Sequence, residues 1–394
     1  MASSASANRW LTLIEGLKNL GVNINMLIYG PYQREQEAND WKEEGNYQGV
    51  HFKYINPQII SGYWRKRFYV YIEEPLGTMF LIRKLISKLK DQRGIIWTEA
   101  SFLGFRLAVE MKKHFPQRRF FLEMSEFLDI HRYNKGNLLQ RWRGDKRMNY
   151  FNKTAFHIYD GIALMTLTLC NHYLQFPPPR PKVLHLPMTV DLERFDDEVE
   201  PLSDFKTPYI AFVGIMNNLK DGVDVLIQAF SKISSDYPQY KLYLIGPWHY
   251  DTPGHLKMIE KSGLSDRIFW MGQYSREKIP AIIGNADLLV LPRPDSHQAR
   301  GGFPTKLGEY LASGVPVCAT RVGEIPDYLR DGESIFFAEP GSVESFADAM
   351  SRALSDPEAA RHVGANGRKV AVTYFNQDIQ ARRLHDFLQG LLME

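Results

Sequence analysis

Short apolar runs alternate with amphipathic stretches along most of the chain. In the second half the runs Tyr209–Val213, Lys241–Ile245, Ile268–Met271, Leu288–Leu291 and Val315–Ala319 are mostly apolar on both faces, as strands buried in a parallel sheet must be. Between them Gly222–Ile233, His255–Ser262, Arg276–Gly284 and Thr305–Ala312 carry helical periodicity. Three more helical segments, Ser342–Leu354, Glu358–Thr373 and Asp378–Leu392, close the chain. In the first half, strands are predicted at Asn23–Tyr29, Val50–Tyr54, Ile95–Thr98, Phe120–Glu123, Gly161–Met165 and Val183–Leu186. This rhythm predicts an α/β fold of two doubly wound, Rossmann-like domains facing across a cleft, where ligands bind.

The stiff turn Pro177-Pro178-Pro179-Arg180-Pro181 leads to the last short strand of the first half. Asp191–Phe205 is acidic, lacks clear periodicity and reads as a linker. The expected division is therefore a domain over 1–205, a second over 206–375, and a final helix within 376–394 packing back on the first. One irregularity stands at the start. A small, Ser-rich loop runs straight into a helix, Ala7–Leu20, where a doubly wound domain should open on a strand. The first strand of that domain is thus missing or supplied differently.

At 394 residues, with 44% hydrophobic and 24% charged positions, the chain suits two globular domains. It has no run of about 18 apolar residues to cross a membrane and no apolar leader. Cys170 and Cys318 lie far apart and read as free thiols of a reducing cytosol, so a cytoplasmic protein is expected. No His/Cys spacing suggests zinc, and no metal is expected.

Charge changes the picture. Residues 51–150 carry 20 Lys and Arg against 9 Asp and Glu, although the whole chain nets only +3. Tyr63–Tyr69, Phe80–Lys90 and Gln140–Arg147 interleave cations with aromatic or aliphatic side chains. A helix over the second stretch lines up Leu81, Leu85 and Leu89 with Arg83, Lys84, Lys88 and Lys90 mostly off the stripe. That stripe suits either an anionic bilayer surface on the inner face of the cell membrane or the protein's own core. No nucleic-acid reading motif is present, and no nucleic-acid partner is expected.

The richest chemistry lies in Gly302–Val317. Small residues and a lysine open a helix there, and Ser313-Gly314-Val315-Pro316 closes it. A helix N-terminus offers free N–H groups and a positive dipole end to a phosphate. Lys306 adds a charge in the first turn, and Glu309, one turn on, can accept hydrogen bonds from a ribose.

An ordered series of segments resembles glycosyltransferase family 4, the retaining glycosyl transferases group 1 of the GT-B fold. Phe212-Val213-Gly214 with Lys220–Ile227 resembles its opening strand, loop and helix. Leu244–Pro247, Met271–Tyr274, Ala286–Pro292, Gly302–Val317, Thr320–Pro326 and Asp331-Gly332 follow in the family's order. In the first domain, Leu186–Phe195 resembles the segment before the domain crossover, and Ser4–Arg9 the first loop and helix.

The resemblance implies a nucleotide-diphosphate sugar as donor, bound mainly by the second domain, with no further cofactor. A glycan or lipid-linked acceptor is implied for the first domain, in cell-surface polysaccharide synthesis. Glu309 then holds the ribose. Thr305 and Lys306 meet the diphosphate, while Gly302, Phe303, Pro304 and Leu307 shape the backbone around it. Gly214 and Lys220 belong to the phosphate-binding opening loop.

Three positions depart from the family pattern. Gly301 stands where the first acid of the paired-acid motif is expected, Ile215 replaces an arginine, and Lys220 comes one place early before Asp221. Arg293 and Arg300 are the substitute cations, Arg293 being the favoured phosphate contact. Asp295, His297 and Gln298 are the substitutes for the missing acid.

The implied reaction is same-face transfer in which the leaving phosphate takes the acceptor's proton. Lys306 steadies the growing charge of the diphosphate. Glu126, at the end of the Phe120–Glu123 strand, is the candidate for handling the acceptor hydroxyl, with Glu123 and His131 as runners-up. A non-catalytic sugar-nucleotide-binding partner of another transferase, or a sugar-nucleotide epimerase on the same fold, are the alternatives.

Overall fold

The computed structural model describes residues 5–29, 43–47, 49–55, 74–90, 93–129, 138–196 and 200–393. Tyr63–Tyr69 and His131 lie outside the described residues.

The first half contains two sheets. In one, β1 (Asn25–Ile28) pairs in parallel with β3 (Val50–Tyr54), and β2 (Glu44–Tyr47) runs antiparallel on the far side of β3. The other is fully parallel, in the order β4 (Ile96–Thr98), β5 (Phe120–Met124), β6 (Gly161–Leu164) and β7 (Lys182–His185). A doubly wound sheet places its first strand between the strands that wind away to either side. Here the helix Ala5–Asn19 precedes β1, and the sheet divides between β1 and β4. A side-chain bond joins the two edges, the Tyr29 hydroxyl donating to Glu99 at 2.7 Å.

The second half is a single six-stranded parallel sheet in the order β10-β9-β8-β11-β12-β13. Its strands are β8 (Tyr209–Val213), β9 (Lys241–Ile245), β10 (Ile268–Gly272), β11 (Leu288–Leu291), β12 (Val317–Thr320) and β13 (Phe336–Ala338). The strand expected from Val315 starts at Val317. Gly314 caps the preceding helix in the left-handed region (φ 73°), and Pro316 has no N–H for the ladder. The three-residue β13 is too short to set a period, and the polar, partly exposed β2 shows none.

Helices cover both faces of this sheet. Leu226, Ile227 and Phe230 of the helix Val223–Ile233 pack with Phe346 and Met350 of the helix Val343–Ser355. Full burial of each such side chain contributes about 1.5–3 kcal/mol. On the other face lies the helix Thr305–Ser313, whose Tyr310 hydroxyl accepts from the Val213 amide at 2.7 Å and fixes that helix over the end of β8.

The chain returns to the first half at its end. Val190 and Asn376 form a parallel bridge, and the helix Gln377–Leu392 lies against Ala5–Asn19. Gly16 and Ala381 touch there so closely that a side chain at 16 would collide with the Ala381 methyl. Leu13, Leu17, Leu384 and Leu391 form the core of this contact.

The helix over the Phe80–Lys90 stretch is Glu74–Leu89, and its stripe is settled. Leu81 and Leu85 sit in the core with Phe105 and Leu107, so this stripe faces the protein's own interior. The Asp191–Phe205 segment buries Phe195 and Phe205 in the second half's core, Phe205 against Tyr209 and Tyr243.

Candidate functional site

At the end of β8 the chain turns at Gly214, whose N–H donates to Ile245 at 2.8 Å. The Lys306 ammonium occupies the space a side chain at 214 would fill, so any larger residue would have to displace it. Lys306 reaches in from the first turn of Thr305–Ser313, passes over the Phe212 ring (4.8 Å) and pairs with Asp221 at 2.6 Å. Burial pushes its pKa down, and the Asp221 carboxylate works against that shift.

Asp221 ends the short helix Asn218–Asp221, capped by Asn217, which accepts from the Lys220 amide at 3.0 Å. Gly222 follows in the left-handed region (φ 65°), and only a glycine fits beneath the Pro292 carbonyl. Arg293 comes next after Pro292 and is almost fully buried, donating to the Gln298 carbonyl at 3.3 Å. Burial lowers its pKa, opposed by the charges of Asp221 and Glu126. Lys306, Arg293 and Lys220 thus converge on one place beside a helix N-terminus.

Glu309, one turn along that helix, accepts from Arg194 at 2.7 Å, and the same guanidinium donates to the Arg276 carbonyl at 2.8 Å. Arg194 belongs to the crossover segment, which therefore reaches the site. A pocket between the two halves opens beside this pair, lined by Arg9, Thr12, Asp191, Arg276, Thr305 and Glu309 among others.

The first half meets the site through Ser125–Asp129. Glu126 accepts from Gln298 at 2.8 Å and lies 3.5 Å from the Lys220 ammonium. The Phe127 ring stacks on His297 (4.5 Å, 19°), and His297 pairs with Asp129 at 2.8 Å. Behind them Thr166 donates to the Gly301 carbonyl at 3.0 Å, and the Phe303 amide donates to the Met165 sulfur at 3.3 Å. Glu324 reaches the other way, accepting from the Thr168 amide at 2.9 Å to cap the helix Leu167–Leu174.

The structure brings Gly214, Lys220, Arg293, Thr305, Lys306, Glu309 and Glu126 together. Other candidates serve different ends. The Leu307 side chain is buried and its amide donates to Pro304, while Gly302 donates to Gln298. Phe303 packs on Tyr328 and Phe375, and Pro304 precedes the first helical turn. No side chain caps this turn, and such a helix start can offer its amides to an anion. Arg300 and Asp295 pair with one another at 2.7 Å on the surface, so neither substitutes in the cleft. Glu123 is buried against Arg9 at 2.6 Å, and that arginine lines the pocket beside Glu309.

Three participants escape sequence reasoning: Asp221 as the partner of Lys306, Arg194 as the partner of Glu309, and Phe127 in front of Gly301. The Asp directly after Lys220 was the only signal for any of them.

A profile of the family described as "Glycosyl transferases group 1" matches residues 194–370. These residues form a group 1 glycosyltransferase domain. The match runs from the Arg194 that pairs with Glu309 to the end of the helix Pro357–Val370, and so contains Lys220, Asp221, Arg293 and Lys306.

Among curated relatives, the MMP alpha-(1->4)-mannosyltransferase of Mycolicibacterium hassiacum is 26% identical over 241 residues, 61% of this chain and 55% of that one. The N-acetyl-alpha-D-glucosaminyl L-malate synthase of Bacillus anthracis is 28% identical over 159 residues, 40% of this chain and 39% of that protein. The GDP-mannose-dependent phosphatidylinositol monomannoside mannosyltransferase of Mycobacterium tuberculosis is 26% identical over 224 residues, 54% and 57% respectively. The chain spans about half the length of the curated relatives it matches.

Solved structures show the fold shared by the group 1 domain and its partner half. Sucrose-phosphate synthase from Thermosynechococcus elongatus superposes with a TM-score of 0.76 at 18% identity, covering 97% of this chain and 92% of its own. Anabaena HepE in complex with UDP and glucose gives 0.69 at 14% identity, covering 96% and 95%. The architecture is GT-B.

Proposed function

We propose that the protein is a retaining glycosyltransferase that moves a sugar from a nucleotide-diphosphate sugar to a hydroxyl of a glycan or lipid-linked oligosaccharide, in cell-surface polysaccharide synthesis. The observation carrying this reading is the convergence of Lys306, Arg293 and Lys220 on the start of the helix that bears Glu309. Support also comes from relatives, one of them named for GDP-mannose, and from a similar structure that holds UDP and glucose.

In this reading the ribose hydroxyls take Glu309 from Arg194, and the diphosphate meets the Thr305 and Lys306 amides with the side-chain cations. As the bond from the sugar's anomeric carbon to the phosphate oxygen breaks, negative charge grows on the diphosphate where these cations already stand. The acceptor oxygen bonds to the same carbon on the same face, and its proton passes to the leaving phosphate. Glu126, reaching over from the first half, orients the acceptor hydroxyl. In this reading the positive charge comes from side chains.

The acceptor side of the reading is peripheral to a membrane, at the inner face. Among the described residues no helix is long and apolar enough to cross one. The helix Leu138–Tyr150 instead presents Leu138 (84% exposed) and Trp142 (53%), with the Lys146 ammonium 4.0 Å from the Trp142 ring. An aromatic ring among cations suits an anionic headgroup layer.

The test is incubation with UDP-, GDP-, ADP- and dTDP-sugars and glycan acceptors, with the product's anomeric configuration read by NMR. Transfer with the donor's configuration kept supports the reading. Inverted product, or epimerised donor without transfer, contradicts it.

A further inference from the structure

We propose that Asp221 is a built-in anion that competes with the donor's diphosphate for Lys306 and Arg293, and so sets the affinity of the site. The inference rests on the nucleotide-diphosphate reading above.

Three cations, Lys306, Lys220 and Arg293, surround the place where a diphosphate would lie. One carboxylate already stands among them. Asp221 is 3% exposed, and its Oδ1 lies 2.6 Å from the Lys306 ammonium. Lys306 is hemmed in by Phe212 and Gly214, so its head has little freedom to turn to a second anion elsewhere. A lysine taken out of water without a counter-charge tends to lose its proton, and Asp221 opposes this. The same carboxylate repels any other anion that approaches Lys306, strongly so in a water-poor cleft.

A diphosphate can therefore take Lys306 fully only by displacing Asp221. The segment bearing Asp221 is a single four-residue turn with Leu219 exposed on its outer side and the left-handed Gly222 at its end. The Asp221 carboxylate can swing away from Lys306 by side-chain rotation while the turn stays held through Asn218 to Asp251 and His255. Its return after transfer drives the nucleoside diphosphate off, trading affinity for release.

The test is calorimetric titration of UDP, GDP and inorganic pyrophosphate into wild type and Asp221→Asn. The substitution keeps the shape and removes the charge. At least tenfold tighter binding of the nucleoside diphosphate is expected. Equal or weaker binding in Asp221→Asn, where wild type binds, overturns the inference and leaves the nucleotide reading intact. Binding of no diphosphate by either protein overturns the nucleotide reading and the inference with it.

Asp221→Asn leaves Lys306 buried without a counter-charge, so folding is secured by the paired variant Asp221→Asn/Lys306→Met. If displacing Asp221 costs the diphosphate about what Lys306 gains it, losing both should change diphosphate affinity by less than about threefold. A loss of tenfold or more would show that Asp221 withholds far less than Lys306 supplies and would overturn the proposal.

Discussion

The ring of Phe127 fills the space in front of the Cα of Gly301. A side chain at 301 would strike the Cδ2 and Cε2 atoms of that ring, which is itself held by His297 on one side and by the edge of His172 on another. The position where the family resemblance calls for an acid is thus glycine because an aromatic from the other half occupies its volume. A carboxylate on the same loop, Glu126, the residue before Phe127, already reaches Gln298 and Lys220.

The contact predicts a double-mutant result. Gly301→Ala should destabilise the protein by about 1–3 kcal/mol, the usual cost of forcing an extra carbon into a packed contact. In a Phe127→Ala background the same change should cost less than about 1 kcal/mol. Denaturant unfolding of the four proteins measures both values, and equal costs in the two backgrounds would show that the ring and the glycine are unrelated.

Arg9 and Glu123 make a second testable pair. Arg9 is 2% exposed, donates to Glu123 at 2.6 Å and spends its remaining nitrogens on the Pro187 and Leu186 carbonyls at 2.7 Å each. It ties the first helix to β5 and to the loop after β7. Arg9→Met leaves a buried carboxylate alone and should cost about 3–5 kcal/mol. Arg9→Met/Glu123→Leu should be more stable than Arg9→Met, though below wild type because the two carbonyls stay unpaired. Unfolding midpoints decide it; a double variant as unstable as the sum of both single changes contradicts the pairing.

Much of this molecule is legible in the sequence, for a physical reason. In the second half β8, β9 and β11 are short apolar runs buried on both faces, so they announce themselves by composition and are closed off by Gly or Pro. The three-residue β13 does not announce itself in this way. The helix Thr305–Ser313 is marked at both ends, by Pro304 before it and Gly314 after it. Lys306 and Glu309 follow from that placement. Less legible are features made by tertiary contact. Leu81 and Leu85 form an amphipathic stripe whichever surface covers them, and only packing shows that it is the core. Arg194 lies 115 positions from Glu309, and Phe127 lies in the other half from Gly301. No spacing rule joins residues so distant. The division of the first sheet is less legible still: its edges, β1 and β4, emerge only from pairing.

Asp160 gives a prediction in pH. Burial pushes its pKa up, but the Phe120 amide at 2.8 Å and the Lys112 and Arg119 side chains at 3.0 Å each outweigh it, and the net shift is downward. A carboxyl held low in the folded state stabilises the protein above its unfolded pKa, near 4, and loses that contribution as pH falls through the folded value. Asp160→Asn should therefore cost about 1–3 kcal/mol at pH 7. The gap from wild type should close as pH drops below about 4. Thermal melts of both proteins from pH 7 to pH 3 check this, and a gap that stays constant with pH would contradict it.

The most direct test of the central claim is calorimetric titration of wild type and Glu309→Ala with UDP, GDP, ADP and dTDP. The account predicts that one of these nucleotides binds wild type and that Glu309→Ala weakens it by about tenfold or more, the loss of one or two charge-assisted hydrogen bonds to the ribose. Binding that is unchanged in Glu309→Ala, or absent for every nucleotide in wild type, would contradict it.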